Sequence, residues 1–403
     1  MKDTSLPAYI DLAIVGAGPQ ALTLATHLLQ KRAKFRHRFL VFDPNGIWLS
    51  QWRHQFAAQE IPHLRSPAVH HPDPNPYALR AFAENRPDEL FPPYDLPGTK
   101  LFEDFCAELI RRWNLQDCVC QAKIDRILPI HHNLRPRFQL MLADGRSIIA
   151  RRVVLATGSG VLQFPDWVNK IRDLYPPERL CHSQKVDLRT LQIAGETILI
   201  IGGGLTSGHL AIGAINRGAK VILMSRRELQ EKLFDADPGW LGPKYLKGFA
   251  EESDWETRSQ LIQQARNGGS MTPAMMLQLR RATRDGKVTL NERCEIIDAT
   301  WQENHWQVRC VNGEVLQCDR LWLATGTRFD ATQHPLLGDI SNTHPTQIVK
   351  GLPVLDEHLR FPGSAFYILG GLAALQIGPV ARNLSGGRMG CDRIVRALIT
   401  KLK

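Results

Sequence analysis

Leu12-Ala13-Ile14-Val15, followed by Gly16-Ala17-Gly18-Pro19-Gln20-Ala21, decides how the rest of the chain is read. The apolar run reads as a buried strand, and Leu22, Ala25, Leu28 and Leu29 recur at helical spacing after the loop. Glycine at 16 and 18 lets the backbone turn sharply and approach a pyrophosphate, which rests on the free amides and positive end of the helix. A purely structural strand-to-helix turn has the same local pattern, so the stretch by itself says dinucleotide without saying which.

The chain has 403 residues, enough for two or three domains, and 43% hydrophobic residues supply ordinary cores. Its formal charge of +10 is spread along the chain, with no arginine-rich tail, so anionic partners are favoured and nucleic acid is not expected. Residues 1–7 are polar and lead straight into a strand. No signal peptide and no transmembrane run is expected, and a cytoplasmic location follows by default. Eight cysteines include Cys118-Val119-Cys120 but no Cys-x-x-Cys pair, which argues against zinc and dithiol chemistry; Cys310 and Cys318 read as small buried hydrophobes. His63, His70 and His71 lack the spacing of metal ligands, so no metal is expected.

Further along, 38–42 reads as a second strand ending at Asp43, 27 residues past Gly16. An acidic side chain there commonly takes ribose hydroxyls, although the turn Asp43-Pro44-Asn45-Gly46 explains it equally well. Residues 48–101 lose regular period and are rich in proline, histidine and aromatics, as expected of a site-building excursion. Helical period resumes over 102–113.

A repeat then emerges. Strands over 138–142 and 147–150 around Asp144-Gly145 lead into Val153-Val154-Leu155-Ala156-Thr157-Gly158. Strands over 306–311 and 315–318 around Asn312-Gly313 lead into Leu321-Trp322-Leu323-Ala324-Thr325-Gly326. In both, the turn glycine precedes the threonine of Ala-Thr-Gly by 12 residues. The second hairpin closes a unit opened by its own strand (197–201), glycine loop (Gly202-Gly203-Gly204-Leu205-Thr206-Ser207) and helix with Leu210, Ala211, Ala214 and Ile215 on one side. A strand over 221–224 ends at Ser225-Arg226-Arg227, where an acidic residue would suit NAD; arginine instead offers a planar charged fork to a 2′-phosphate. Residues 228–292 form a second excursion, with helices expected near 255–265 and 272–283 and with Met271, Met275 and Met276 in the core. A strand over 365–369, the loop Gly370-Gly371-Leu372-Ala373-Ala374-Leu375-Gln376 and a basic helix over 391–401 finish the chain.

The fold expected is α/β, with two Rossmann-like dinucleotide-binding domains, the second inserted in the first: residues 1–190, 191–326 and 327–403. Two nested units that each close on Ala-Thr-Gly, with a C-terminal strand-Gly-Gly-loop-helix, resemble the flavoproteins that bind FAD and NADPH. Within them the chain is similar to the class B flavin monooxygenases, especially the N-hydroxylating lysine and ornithine monooxygenases. The marks are Gly16-Ala17-Gly18-Pro19, the segment Gln59-Glu60-Ile61-Pro62-His63-Leu64-Arg65-Ser66-Pro67, His182-Ser183, and Gly371 through Pro379. Val186, Thr327-Arg328 and Asp237-Pro238-Gly239-Trp240 depart from the N-hydroxylase pattern and leave the substrate open.

The resemblance implies that Gly16, Gly18, Pro19, Gln20 and Asp43 hold the adenosine diphosphate half of FAD, with Trp48, Gln59 and Leu64 toward its ring and Thr157 and Gly158 in the same site. It implies that Gly371, Leu375 and Gln376 bring a loop and helix N-terminus to the flavin carbonyl side. Gly202, Gly204, Thr206, Ser207, Ser225, Arg226 and Arg227 would hold NADPH. The implied reaction is reduction of flavin by NADPH, capture of O2 as a C4a-hydroperoxyflavin, and oxygenation of a nucleophilic nitrogen or sulfur of a small substrate. No side-chain base or nucleophile is demanded. Lys244 and Tyr245 are expected to contact an anionic group of the substrate. An NADPH-dependent electron-transfer reductase, for which the basic terminal helix suits an anionic membrane surface, and a non-catalytic flavin- and NADPH-binding regulator stand as alternatives.

Overall fold

Two sheets, one mixed with a parallel core and one parallel throughout, arise where apolar runs feed glycine turns. The computed structural model describes residues 6–158, 160–266 and 268–400. The first part comprises β1 Tyr9–Val15, α1 Pro19–Lys31, β2 Phe39–Asp43, α2 Thr99–Arg112, β3 Val119–Gln121, β4 Ile124–His132, β5 Arg135–Leu142 and β6 Ser147–Leu155. The second comprises β7 Leu180–His182, β8 Thr197–Ile201, α3 Leu205–Ile215, β9 Lys220–Ser225, α4 Pro243–Glu251, α5 Trp255–Arg266, α6 Pro273–Arg284, β10 Val288–Glu292, β11 Ile296–Gln302, β12 His305–Cys310, β13 Val315–Cys318 and β14 Arg320–Leu323. β15 Phe366–Ile368 and α7 Leu384–Ile399 complete the molecule.

The first sheet runs β3-β2-β1-β6-β5-β4, and β15 returns from the C-terminus to pair with β6. β1 lies parallel to β2 and β6, with Val15 opposite Phe42 and Leu155. The second sheet, β7-β14-β8-β9-β10, is parallel throughout. Strands flanked on both sides read as continuous apolar runs, and Leu12, Ala13, Ile14, Ile198, Leu199 and Ile200 have no exposed surface.

Several sequence expectations need correcting. Residues 147–150 and 153–155 form one strand, β6, whose edge away from β1 takes β5 along its first half and β15 along its second. The corresponding strand of the second unit breaks at Asp319, whose amide donates to Thr197 O (2.8 Å) and whose carboxylate accepts from Thr197 N (2.7 Å). Each hairpin is the end of a three-stranded meander. β4 and β11 precede them as half-exposed strands whose charges and Pro129 blur the alternation.

The boundary at 190 cuts too late, because β7 already pairs with β14 of the second sheet. The second excursion splits between cores. Trp240, Phe249 and Ile262 join the core of the first unit, whereas Met271, Met275 and Met276 are buried in the core of the second with residues of α3 and its sheet, as expected of core methionines. α7 begins at Leu384, earlier than the periodicity from 391 indicates; Lys401, like residues 1–5, lies outside the described residues. Glycines hide its first turns from a period search. A Cβ on Gly386 would lie 2.0 Å from Val380 O, so the helix packs tightly on the preceding loop. No helix among the described residues is long and apolar enough to cross a membrane.

Candidate functional site: two glycine cradles and the seam between them

Both glycine loops are built alike, down to the hydrogen bond. Gly16 N donates to Phe42 O (2.8 Å) and Ala156 N to Val15 O (2.8 Å); Gly202 N donates to Met224 O (2.9 Å) and Ala324 N to Ile201 O (2.8 Å). Gly16 (φ +102°) and Gly202 (φ +144°) sit against the alanine of their Ala-Thr-Gly triplets. An added Cβ would lie 2.6 Å from Ala156 O in the first and 2.3 Å from Ala324 O in the second. The triplet and the glycine turn are therefore two halves of one packing contact, which explains why they recur together.

The third loop residue behaves differently. Gly18 and Gly204 are the N-caps of α1 and α3, with extended backbones and no side-chain cap. A Cβ on either would meet nothing within 4 Å. Each helix thus presents uncapped amides to open space, the arrangement that suits a pyrophosphate. Pro19 occupies the first turn of α1 without needing a donor.

Around the first cradle the expected residues divide. Asp43 Oδ1 accepts from Asn45 N (2.9 Å), so the turn uses one carboxylate oxygen and leaves Oδ2 free among the described residues. Leu49 N donates to Ala17 O (2.8 Å), which docks residues 48–49 on the loop. The Trp48 ring, however, is buried in the core and donates to Leu115 O (2.9 Å). Leu64 is buried as well, and its amide donates to Pro97 O (2.9 Å). Gln20 turns away from the loop, its Nε2 donating to Ala381 O (3.0 Å) and Asn383 O (3.2 Å), and so clamps the C-terminal return onto α1.

That return also differs from expectation. Gly371–Ala373 is a 3-10 turn and Ala374–Ile377 a single helical turn, too short to present a helix dipole. Leu375 is fully buried, Gln376 Nε2 donates to Leu355 O (2.9 Å), and a Cβ on Gly371 would collide with the Phe329 ring at 2.2 Å. These side chains shape the loop from within.

At the second cradle, Thr206 is partly exposed on the first turn of α3, while Ser207 is buried and donates to Gly204 O (2.6 Å). Ser225 is buried and donates to Arg227 O. Arg227 reaches back to Gly269 O (3.4 Å). Arg226 is exposed at the end of β9 and has no partner among the described residues. Lys244 is exposed with its ammonium 4.9 Å from the Tyr245 ring, and Tyr245 packs on Trp240 (5.4 Å); the pair does not converge on either cradle.

The two units meet along a seam. Residues 161–162 and 327–328 cross between them as an antiparallel ribbon. Two histidines each secure one triplet: His334 Nε2 lies 3.3 Å from Thr157 Oγ1, and His182 Nε2 lies 3.1 Å from Gly326 O. Each has its Nδ1 within hydrogen-bond reach of a backbone amide, Leu336 N and Gln184 N respectively, so each Nε2–H donates to its triplet. Burial lowers the pKa of both, which keeps them neutral. His334 carried no sequence signal.

Gln59 is buried and donates to Ser183 O (3.1 Å), and Glu60 pairs with Arg217 (2.7 Å), so the first excursion is fastened to the second unit. Arg65 and Arg266 converge on Asp235 (2.7 and 3.0 Å), while Arg266 also reaches Pro379 O (2.8 Å) and Arg258 reaches Leu375 O (3.0 Å). Both excursions and the C-terminal return are thereby locked together. Burial opposes the charge on Asp235, but the arginines outweigh it and hold its pKa below the usual carboxylate value. The seam borders a partly open cavity of about 140 Å³ whose lining includes Gln59, His63, Arg65, His209, Thr272 and Met275. Burial pushes His209 down to about 4, so the cavity wall carries a neutral imidazole.

Among the described residues, the group that gathers tightly enough to suggest an ion is Cys294, Cys310 and Glu314, with donor atoms within 4.8 Å. It offers three donors rather than the four of a structural zinc site, and burial raises the Cys310 thiol to about 12.

Two glycine cradles on two sheets with parallel cores, one unit inserted in the other, with a C-terminal strand returning to the first, define a fold of the two-dinucleotide-binding-domain type. Residues 13–160 match the FAD-NAD(P)-binding family model. The ornithine hydroxylase PvdA of Pseudomonas aeruginosa is similar with a TM-score of 0.78 at 18% identity, over 98% of this chain and 100% of that one. The Kutzneria sp. 744 ornithine N-hydroxylase KtzI, in its FADred-NADP+-L-orn form, gives 0.76 at 17% over 97% and 99%. The L-lysine 6-monooxygenase of Pseudomonas syringae gives 0.76 at 15% over 98% and 100%. At these identities the likeness is one of fold. No curated protein is similar enough in sequence to match.

Proposed function

We propose that the chain is an FAD- and NADPH-dependent monooxygenase that oxygenates a nucleophilic nitrogen or sulfur of a small substrate with O2. The observation that carries this reading is the duplicated cradle: two uncapped helix N-termini, at Gly18 and Gly204, facing open space on two sheets joined by one ribbon. The resemblance of fold to an ornithine hydroxylase, an ornithine N-hydroxylase and an L-lysine 6-monooxygenase supports the assignment of chemistry.

In this reading the α1 amides beyond Gly18 hold the FAD pyrophosphate, and Asp43 Oδ2 takes a ribose hydroxyl. The α3 amides beyond Gly204 hold the NADPH pyrophosphate, and Arg226 takes its 2′-phosphate. Bound FAD supplies hydride acceptance and oxygen activation. The chain's task is to position and to exclude water. Trp240 and Phe249 lie 3.8 Å from where a Cβ on Gly378 would be, so the second excursion roofs the C-terminal loop with aromatic surface. The neutral His209 and the Gln59 segment wall the seam cavity, which is the proposed substrate site. No side chain is assigned as acid or base.

The test supplies NADPH and ¹⁸O-labelled O2 with a panel of primary amines and thioethers, and reads the product by mass. Incorporation of one labelled oxygen per NADPH into an amine or thioether supports the proposal. Rapid NADPH-dependent quinone reduction with no labelled product overturns it in favour of electron transfer.

A further inference from the structure

A wide concavity lies at the opposite end of the first sheet from the glycine cradle, and its wall is strongly basic. It measures about 1080 Å³ and gathers Arg36, Arg38, Arg135, Arg137, Arg151 and Arg152 from the start of β2, the start of β5 and the middle of β6. The carboxylates in its wall are Asp11 and Asp117, an excess of four positive charges. The whole chain carries +10, so two-fifths of its net charge faces one cavity. Five residue steps along β1, from Asp11 in its wall to Gly16, separate it from the first cradle, about 16 Å of extended chain. It is therefore a site apart from either cradle.

Part of this charge is already used. Arg38 pairs with Asp11 (2.6 Å), Arg151 approaches the same carboxylate (3.5 Å), Arg36 donates to Asn114 O (2.8 Å), and Arg152 donates to Leu398 O (3.1 Å). Arg135 has no partner among the described residues. Arg137 donates to Pro136 O (2.7 Å), but its Nε is buried without a hydrogen-bond partner. Tyr9, 45% exposed, stands beside it with its ring centroid 5.8 Å from the guanidinium carbon. Crowded like charges in a concave wall repel one another unless an anion enters, and guanidinium forks match phosphoryl oxygens two at a time.

We infer that this cavity binds a small phosphoryl-bearing polyanion, with Arg135 and Arg137 as its principal unshared donors. The concave wall focuses field on a compact ligand that fits inside, in contrast to the flat or convex face that a membrane requires.

The experiment uses the FAD-loaded protein saturated with NADP+, so that both cradles are filled, and measures binding of inorganic pyrophosphate and of ADP by calorimetry. Binding of pyrophosphate, weakened at least tenfold in Arg137→Ala and in Arg135→Glu and unchanged in Arg226→Ala, supports the site. Equal affinity for ADP assigns recognition to the phosphoryl groups alone; tighter ADP binding adds the Tyr9 face, and both outcomes keep the proposal. Arg135 is exposed, so its variant tests the site even if Arg137→Ala fails to fold. Absence of binding at millimolar pyrophosphate overturns the inference, as does binding lost in Arg226→Ala. Arginine-dependent sedimentation with phosphatidylglycerol vesicles in the absence of pyrophosphate binding also overturns it.

Discussion

Alanine at Gly202 and at Gly204 should fail in opposite ways, although the two glycines stand two residues apart. At Gly202 the new Cβ would lie 2.3 Å from Ala324 O and 2.8 Å from Ala324 C, both backbone atoms, at a φ of +144°. Real Cβ contacts essentially never fall below 3.0 Å, so β14 or the turn must move by at least 0.7 Å. The backbone conformation alone costs about 1–3 kcal/mol for a non-glycine residue. At Gly204 the backbone is extended (φ −100°) and the Cβ meets nothing. Exchanging glycine for alanine at an N-cap costs only about 1 kcal/mol or less. Urea unfolding and NADPH titration, run on both variants, separate the two effects. Gly202→Ala should lose stability by at least about 1–3 kcal/mol. Gly204→Ala should fold nearly as the wild type but bind NADPH at least tenfold more weakly, because its methyl enters the space given to the pyrophosphate. Unchanged NADPH affinity in Gly204→Ala would refute the placement of the nucleotide, and unchanged stability in Gly202→Ala would refute the packing argument.

Other consequences are more local. Gln20→Ala removes two hydrogen bonds that tie α1 to the C-terminal return, and should cost about 1–2 kcal/mol in urea unfolding while exposing α7 to proteolysis. Arg226→Ala should raise the NADPH half-saturation about tenfold and leave that of NADH nearly unchanged; equal loss for both would remove the 2′-phosphate assignment. Burial lowers His71 from 6.5 to about 4, with His70 and His209 pushed the same way. Its folded pKa is depressed, so the unfolded chain binds more protons between these values and stability falls as pH drops from 6.5 toward 4. His71 alone should contribute a loss of about 2 kcal/mol between pH 7 and pH 5 in urea unfolding, which His71→Gln would abolish.

Much of the architecture was legible because its determinants are local and repeated. Gly16 and Gly202 announce themselves in sequence, and each triplet marks the strand that packs on its glycine. The C-terminal return could be placed by Gly370-Gly371, since β15 follows the same apolar rule as β1. Side-chain roles were less legible where partners are distant in sequence. Gln20 sits inside the fingerprint yet works 361 residues away, on Ala381. Trp48 lies beside the loop by its backbone while its ring belongs to the core under Leu115. The His334 contact with Thr157, and the meeting of Arg65, Asp235 and Arg266, depend on tertiary approach that no periodicity records. The glycines of α7 lowered its apparent helical signal for the reason that they are needed, its close approach to the loop at Val380.

In the proposed function the first cradle holds FAD and the second delivers reducing equivalents from NADPH. Anaerobic titration of the purified, FAD-loaded protein with NADPH, followed by flavin absorbance, tests it most directly. Full bleaching by one equivalent of NADPH, with a much weaker response in Arg226→Ala and in Gly204→Ala, is the predicted result. A protein that retains no flavin, or whose flavin stays oxidised with excess NADPH, would contradict the account.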